Sequence, residues 1–135
     1  MQPSIFTKII NGEVPCYKIY EDELTVAILD IHPISPGHTL VVAKKQVDHF
    51  DDLDDENYQA LFNTVKLISK RLKEVLSTQR ACLRIEGFDI PHAHIHVIPC
   101  NKPSDFYIEH RMQQDPDPTA LAAMAGRLKI EGQNG

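Results

Sequence analysis

The longest regular pattern in this 135-residue chain lies in DDLDDENYQALFNTVKLISKRLKEVL. Tyr58, Leu61, Phe62, Val65, Ile68, Leu72, Val75 and Leu76 recur there at steps of three and four, which predicts an amphipathic helix over about 51–76. Asp51, Asp52, Asp54, Asp55 and Glu56 open the segment and Lys70, Arg71 and Lys73 close it, the polarity a helix macrodipole favours. Near the start, Ser4 as N-cap followed by Ile5, Phe6, Ile9 and Ile10 predicts a short helix over about 4–11, stopped by Gly12 and Pro15. CYKIYEDE and LTVAILDI read as two strands joined by an acidic turn at 21–23. HPISPGH, with two prolines and a glycine, is a loop, and HTLVVAKK is a third strand. ACLRIE and HAHIHVIP read as the last two strands. Asp117 as N-cap with Pro118 at the first helical position predicts a further helix to about Lys129, and EGQNG is expected to fray. The order α-β-β-β-α-β-β with short connections implies an α+β domain, an antiparallel sheet with helices on one face. Residues 1–135 are expected to form one domain, with the core at about 4–100 and an extension over 101–135.

Composition narrows the class. Apolar residues make up 42% and charged residues 24%, as in ordinary globular proteins. A net charge of -5 and a pI near 5.7 argue against a nucleic-acid polymer as partner, since such modules present a basic face. A small anion remains compatible if one site is locally electropositive. Cys16, Cys82 and Cys100 cannot all pair internally and form no C-x-x-C, so reduced structural thiols are expected. The chain begins without a basic start and apolar run, and no 18-residue apolar stretch occurs. A cytoplasmic location with no membrane contact is the expectation.

The chemistry concentrates in PHAHIHVIPC, residues 91–100, where His92, His94 and His96 occupy alternate positions. Random placement of seven histidines would give roughly 0.02 such triplets in a chain of this length. In a strand, alternate side chains share a face about 6.6 Å apart. The three rings therefore share one face and Ala93, Ile95 and Val97 the other, which suits packing on the long helix. The histidine face is then expected to be open to solvent or ligand. Three readings stay open: a hydrogen-bonded row of rings, a metal site with His38 or Asp89 as further donors, and acid–base and nucleophilic chemistry on an anion. In the last, a neutral ring attacks while protonated neighbours stabilise charge.

HAHIHVIP resembles the signature of the histidine triad (HIT) superfamily. The stretch SIFTKIINGEVPCYKIYEDELTVAILDIHPISPGHTLVVAKKQVDHFDDL resembles the first part of Hint-like and related bacterial HIT proteins, and the match in order and spacing covers about residues 4–99. The resemblance implies a five-stranded antiparallel sheet with two main helices on one face, plus here a C-terminal helix, in a homodimer. It implies a nucleotide hydrolase or transferase acting at the α-phosphate through a nucleotidyl-histidine intermediate, with no cofactor and no catalytic metal. By correspondence His94 is the nucleophile, His92 and His96 contact phosphate or leaving group, and His38 lies beside the triad. Asp30 accepts from ribose hydroxyls. Ile5, Phe6, Ile9, Ile28 and Ile31 form the apolar wall around a purine base, and Asp89 and Ile90 belong to the nucleotide-binding loop.

Two departures stand out. Many bacterial relatives carry C-x-x-C and a structural zinc where this chain has Ser4 and Thr7, so that zinc is not expected. Hint-like proteins have a glycine-rich loop ending in a glutamine and a hydroxyl residue before the triad; here it is EGFDIPH, with Phe88 and Asp89 at those positions. An ionised Asp89 repels phosphate or steers an amine leaving group, and a nucleotide-binding protein with little turnover is the alternative function. Asp105, Phe106 and Tyr107 are expected to cover the active site of either protomer.

Overall fold

The computed structural model describes residues 2–111 and 115–131. One antiparallel sheet contains β1 (Lys18–Glu21), β2 (Thr25–Leu29), β3 (Thr39–Ala43), β4 (Arg80–Arg84) and β5 (His94–Cys100), in the spatial order β1-β2-β3-β5-β4. Helices α1 (Ile5–Ile10), α2 (Asp55–Leu76) and α3 (Pro118–Leu128) complete the α+β architecture, with short 3-10 turns at 50–52, 103–106 and 108–110. Ser4 caps α1 by accepting from the Thr7 N–H, and Asp117 caps α3 by accepting from the Ala120 N–H. Of residues 131–135, expected to fray, all but Glu131 lie outside those described.

The apolar stripe of α2 decides the main core. Leu61, Val65, Ile68 and Leu72 are buried against Ala27, Val41, Ala43, Ile95 and Val97. Burying each of the larger side chains contributes about 1.5–3 kcal/mol. Leu121 and Leu128 bring α3 onto the same side, and the Arg71 guanidinium donates to the carbonyls of Arg127, Leu128 and Lys129 at its end.

The first helix does not follow the others. On the opposite sheet face, Phe6 of α1 packs with Val26, Ile28, Leu40 and Val42. Pairing sets the rows: Val26 with Val42 and Val42 with His94, then Ile28 with Leu40 and Leu40 with His96. Expecting all helices on one face was therefore incorrect for α1. Its apolar residues need cover, and the second face of this interior sheet supplies it.

The histidine strand also starts later than alternation suggests. The His92 N–H turns back to the Ile90 carbonyl, and the Ala93 N–H donates to Val47, so the ladder begins at His94. Pro91, which lacks an N–H, suits this non-ladder entry.

Residues 32–38 bridge β2 and β3 and deliver His38. Gly37 has φ +95, and a Cβ there would lie 2.6 Å from Leu76 Cδ1 and 3.3 Å from Pro99 Cγ. Both the left-handed backbone and the space demand glycine. Gly37→Ala is expected to cost on the order of 2–3 kcal/mol, read as a lowered urea midpoint with an unchanged m-value.

Candidate active site

A cavity of about 380 Å³ opens beside α1, the ends of β2 and β5, and the 86–90 loop. Ile5, Phe6, Ile9, Ile28, Asp30, Ile31, Asp89 and Ile90 all line it, together with His94 and His96. The structure thus gathers around one space every residue assigned from sequence to the nucleotide. His92 and His38 stand behind it, each fully buried. Two rings, not three, reach the cavity. Nor is the histidine face open: His94 is 6% and His96 7% exposed, because Phe6 packs edge-on against His94 at 4.9 Å between centroids.

Hydrogen-bond partners fix the tautomers. The His92 carbonyl lies 2.6 Å from His94 Nδ1. A carbonyl only accepts, so Nδ1 carries the proton and the neutral ring keeps an unshared pair on Nε2. The neighbouring ring is set the other way. The Ile34 N–H donates to His38 Nδ1 at 3.0 Å, so His38 Nε2–H donates to His96 Nδ1 at 2.9 Å. His96 therefore carries its proton on Nε2. The two cavity rings, 5.1 Å apart between centroids, pair a lone-pair nitrogen with an N–H donor.

His92 is fastened from both sides. Its Nε2–H donates to the Ala43 carbonyl at 2.6 Å, which makes Nδ1 the acceptor of the Ser4 hydroxyl, also at 2.6 Å. The Ser4 N–H and the Thr7 hydroxyl both donate to Gln46 Oε1, whose amide nitrogen donates to the Gln2 carbonyl. Ser4 and Thr7, singled out for replacing cysteines, thus tie the start of α1 to the backbone that carries the His92 carbonyl.

Burial keeps these rings neutral at neutral pH. It pushes His38 down to about 4, against the pull of Asp30 and with the added push of the Arg111 and Arg84 guanidinia. Burial also takes His96 down to about 3, helped by His38 and His94, and lowers His94 and His92. Protonated neighbours, as read from sequence, are thus replaced by neutral N–H donors.

Asp30, His38 and His96 place donor atoms within 4.8 Å of one another, the one such metal-competent grouping among the described residues. Asp89 is not part of it. Hydrogen bonds and an ion pair already engage all three, since Arg111 Nη1 and Nη2 donate to Asp30 at 3.3 and 3.1 Å. Arg111 and Ile108 line the cavity and were missed in the sequence. They belong to a tail with neither periodicity nor family match, so no signal marked them. Asp105, Phe106 and Tyr107, expected to cover the site of either protomer, do not line this chain's cavity: Asp105 accepts from the N–H groups of Asn101 and Lys102, and the Phe106 ring lies 4.5 Å under the Arg84 guanidinium. In the 86–90 loop, Glu86 and Asp89 line the cavity while Phe88 is 91% exposed.

Unfolded histidines take up protons near pH 6.5, whereas folded His38 and His96 resist until about 4 and about 3. Between these values the unfolded chain binds more protons. Stability is therefore full above pH 6.5 and falls with acidification, by about 2 kcal/mol for each ring at pH 5. Urea melts at pH 7 and pH 5 check this, and His38→Asn is expected to reduce the loss.

Comparison with known proteins fits this geometry. The HIT domain family model matches residues 11–102. An adenosine 5'-monophosphoramidase of Schizosaccharomyces pombe is 36% identical over 104 residues, covering 76% of this chain and 77% of that one. An adenylylsulfatase of Arabidopsis thaliana is 31% identical over 133 residues, covering 91% of this chain and 68% of the other. The crystal structure of a hypothetical histidine triad nucleotide-binding protein of Sulfolobus tokodaii superposes with a TM-score of 0.79 at 30% identity, covering 92% of this chain and 88% of that one. With the family model spanning well over half its length, the chain belongs to the HIT family.

Proposed function

We propose that this protein hydrolyses or transfers nucleotides at the α-phosphate, with His94 as nucleophile. One observation carries the reading: His94 Nε2 is held unprotonated on the wall of a cavity, next to the Nε2–H of His96. The Nε2 lone pair attacks phosphorus, and the bond to the leaving group breaks with its electrons departing on that group, which, where it is an amine, takes up a proton from solvent as it leaves. The new Nε2–P bond makes the ring cationic, and the Nδ1–H to the His92 carbonyl then becomes a charge-assisted hydrogen bond. His96 Nε2–H supplies a donor to a phosphoryl oxygen without reorganisation. Water attacks phosphorus next and loses one proton to solvent, the N–P bonding pair returns to Nε2, and neutral His94 is restored with a nucleoside monophosphate released.

His38 acts through His96, holding its tautomer, and His92 acts through its carbonyl. The apolar wall of Ile5, Phe6, Ile9, Ile28, Ile31 and Ile90 suits a purine ring, and the Asp30 carboxylate suits ribose hydroxyls. Among relatives, the names phosphoramidase and adenylylsulfatase support cleavage at an adenylyl phosphorus. The substrate class is therefore a small purine nucleotide.

The second reading, nucleotide binding with little turnover, draws on Glu86 and Asp89, two carboxylates on the cavity wall where an anion must pass. An assay with an AMP–lysine conjugate and diadenosine triphosphate separates the two. Wild type is expected to release AMP and to yield a covalent adduct on His94 by mass spectrometry, whereas His94→Asn binds AMP but loses at least 10³-fold in kcat. AMP binding by wild type with no turnover of either substrate would favour the second reading. β4 is an edge strand, and Leu83 on it and Ile85 just after it are exposed, which supports self-association as a homodimer. Sedimentation equilibrium is expected to give twice the 15.3 kDa chain mass.

A further inference from the structure

The carboxylate of Asp30 has little acceptor capacity left. Its Oδ1 accepts from the His32 N–H at 2.9 Å and from Arg111 at 3.3 Å, while its Oδ2 accepts from Arg111 at 3.1 Å and lies 3.5 Å from His38 Nε2. Two oxygens accept about four hydrogen bonds, and since the His38 Nε2–H goes to His96, these three leave room for about one more. The pair of ribose hydroxyls can therefore both bond to Asp30 only if the guanidinium yields its place there.

The surroundings say what the guanidinium then needs. Among the described residues that line the cavity, Asp30, Glu86 and Asp89 carry negative charge and Arg111 is the one guanidinium or ammonium. His94 and His96 are neutral, so among the described lining residues, which also include His32, Arg111 is the permanent positive charge facing an entering anion, and it is held in an ion pair with Asp30. It is partly buried, with 27% of its side chain exposed, and a guanidinium leaving a carboxylate at that depth requires replacement acceptors. A phosphate or sulfate group matches its planar fork; a primary amine does not.

Building on the proposed α-phosphate chemistry, we infer that Arg111 is a specificity residue that exchanges Asp30 for an anionic leaving group. Ribose takes Asp30 as acceptor, and the displaced guanidinium takes the oxygens beyond the α-phosphate. Each half of the substrate thus offsets the partner lost by the other. Leaving groups bearing their own phosphate or sulfate oxygens are favoured over amines, and the Asp30–Arg111 pair covers the ribose acceptor until such a substrate arrives.

The test compares kcat/KM for diadenosine triphosphate and for an AMP–lysine conjugate in wild type, Arg111→Gln and Arg111→Lys. Arg111→Gln is expected to lower the ratio of anionic to amine substrate by roughly ten-fold or more, with Arg111→Lys intermediate because it keeps charge without the fork. Equal losses on both substrates would assign Arg111 a purely structural role and overturn the inference. Equilibrium titration with ADP and adenosine reads the same contact without turnover: wild type prefers ADP, and Arg111→Gln loses that preference roughly ten-fold. If wild type turns over neither substrate, the catalytic reading falls while this binding ratio still decides Arg111. An unchanged ratio sinks the inference alone.

Discussion

A single proton, donated by His94 Nδ1 to the carbonyl of His92, decides which nitrogen of the cavity ring keeps a lone pair. A histidine free to switch tautomers would offer that pair on the required atom only part of the time. Much of the fold serves to hold the carbonyl in place. The His92 ring is anchored to Ala43 at the end of β3 and to Ser4 at the start of α1, and Ala93 is bonded to Val47 and Ala43. The ring of His92 is consequently unavailable to a ligand, although its backbone sits next to the proposed reaction centre.

The second ring is set by the reverse arrangement. Gly37 allows the 32–38 loop to pass under Leu76, which brings His38 Nδ1 onto the Ile34 N–H and His38 Nε2 onto His96. Neutrality is a condition of both chains, since a protonated His38 could not accept from Ile34. Burial meets that condition by pushing these groups well below the ordinary histidine range. The same burial makes the site sensitive to acid, because unfolding releases rings that protonate readily. Stability and tautomer control thus share one cause.

Charge is distributed unevenly around the cavity. The proposed chemistry needs an anion to approach, yet this chain lines the space with three carboxylates and has Phe88 and Asp89 just before the triad. Arg111, from a tail outside the 11–102 match, supplies a compensating charge. The proposed substrate preference would therefore rest in part on a residue beyond the stretch that the family model matches.

The sequence by itself determined the periodic and short-range features. The stripe of α2, the caps Ser4 and Asp117, the five strands and the alternation of His94 and His96 are local consequences of side-chain spacing. The family resemblance added the wall residues, each of which lines the cavity. Tertiary structure alone decided the rest. It placed α1 on the opposite sheet face, withdrew His92 from the cavity, and brought Arg111 to Asp30 across 81 positions. It also made the neighbouring rings neutral. Such outcomes depend on which backbone carbonyl a ring meets and how much water reaches it, and neither is encoded in residue spacing.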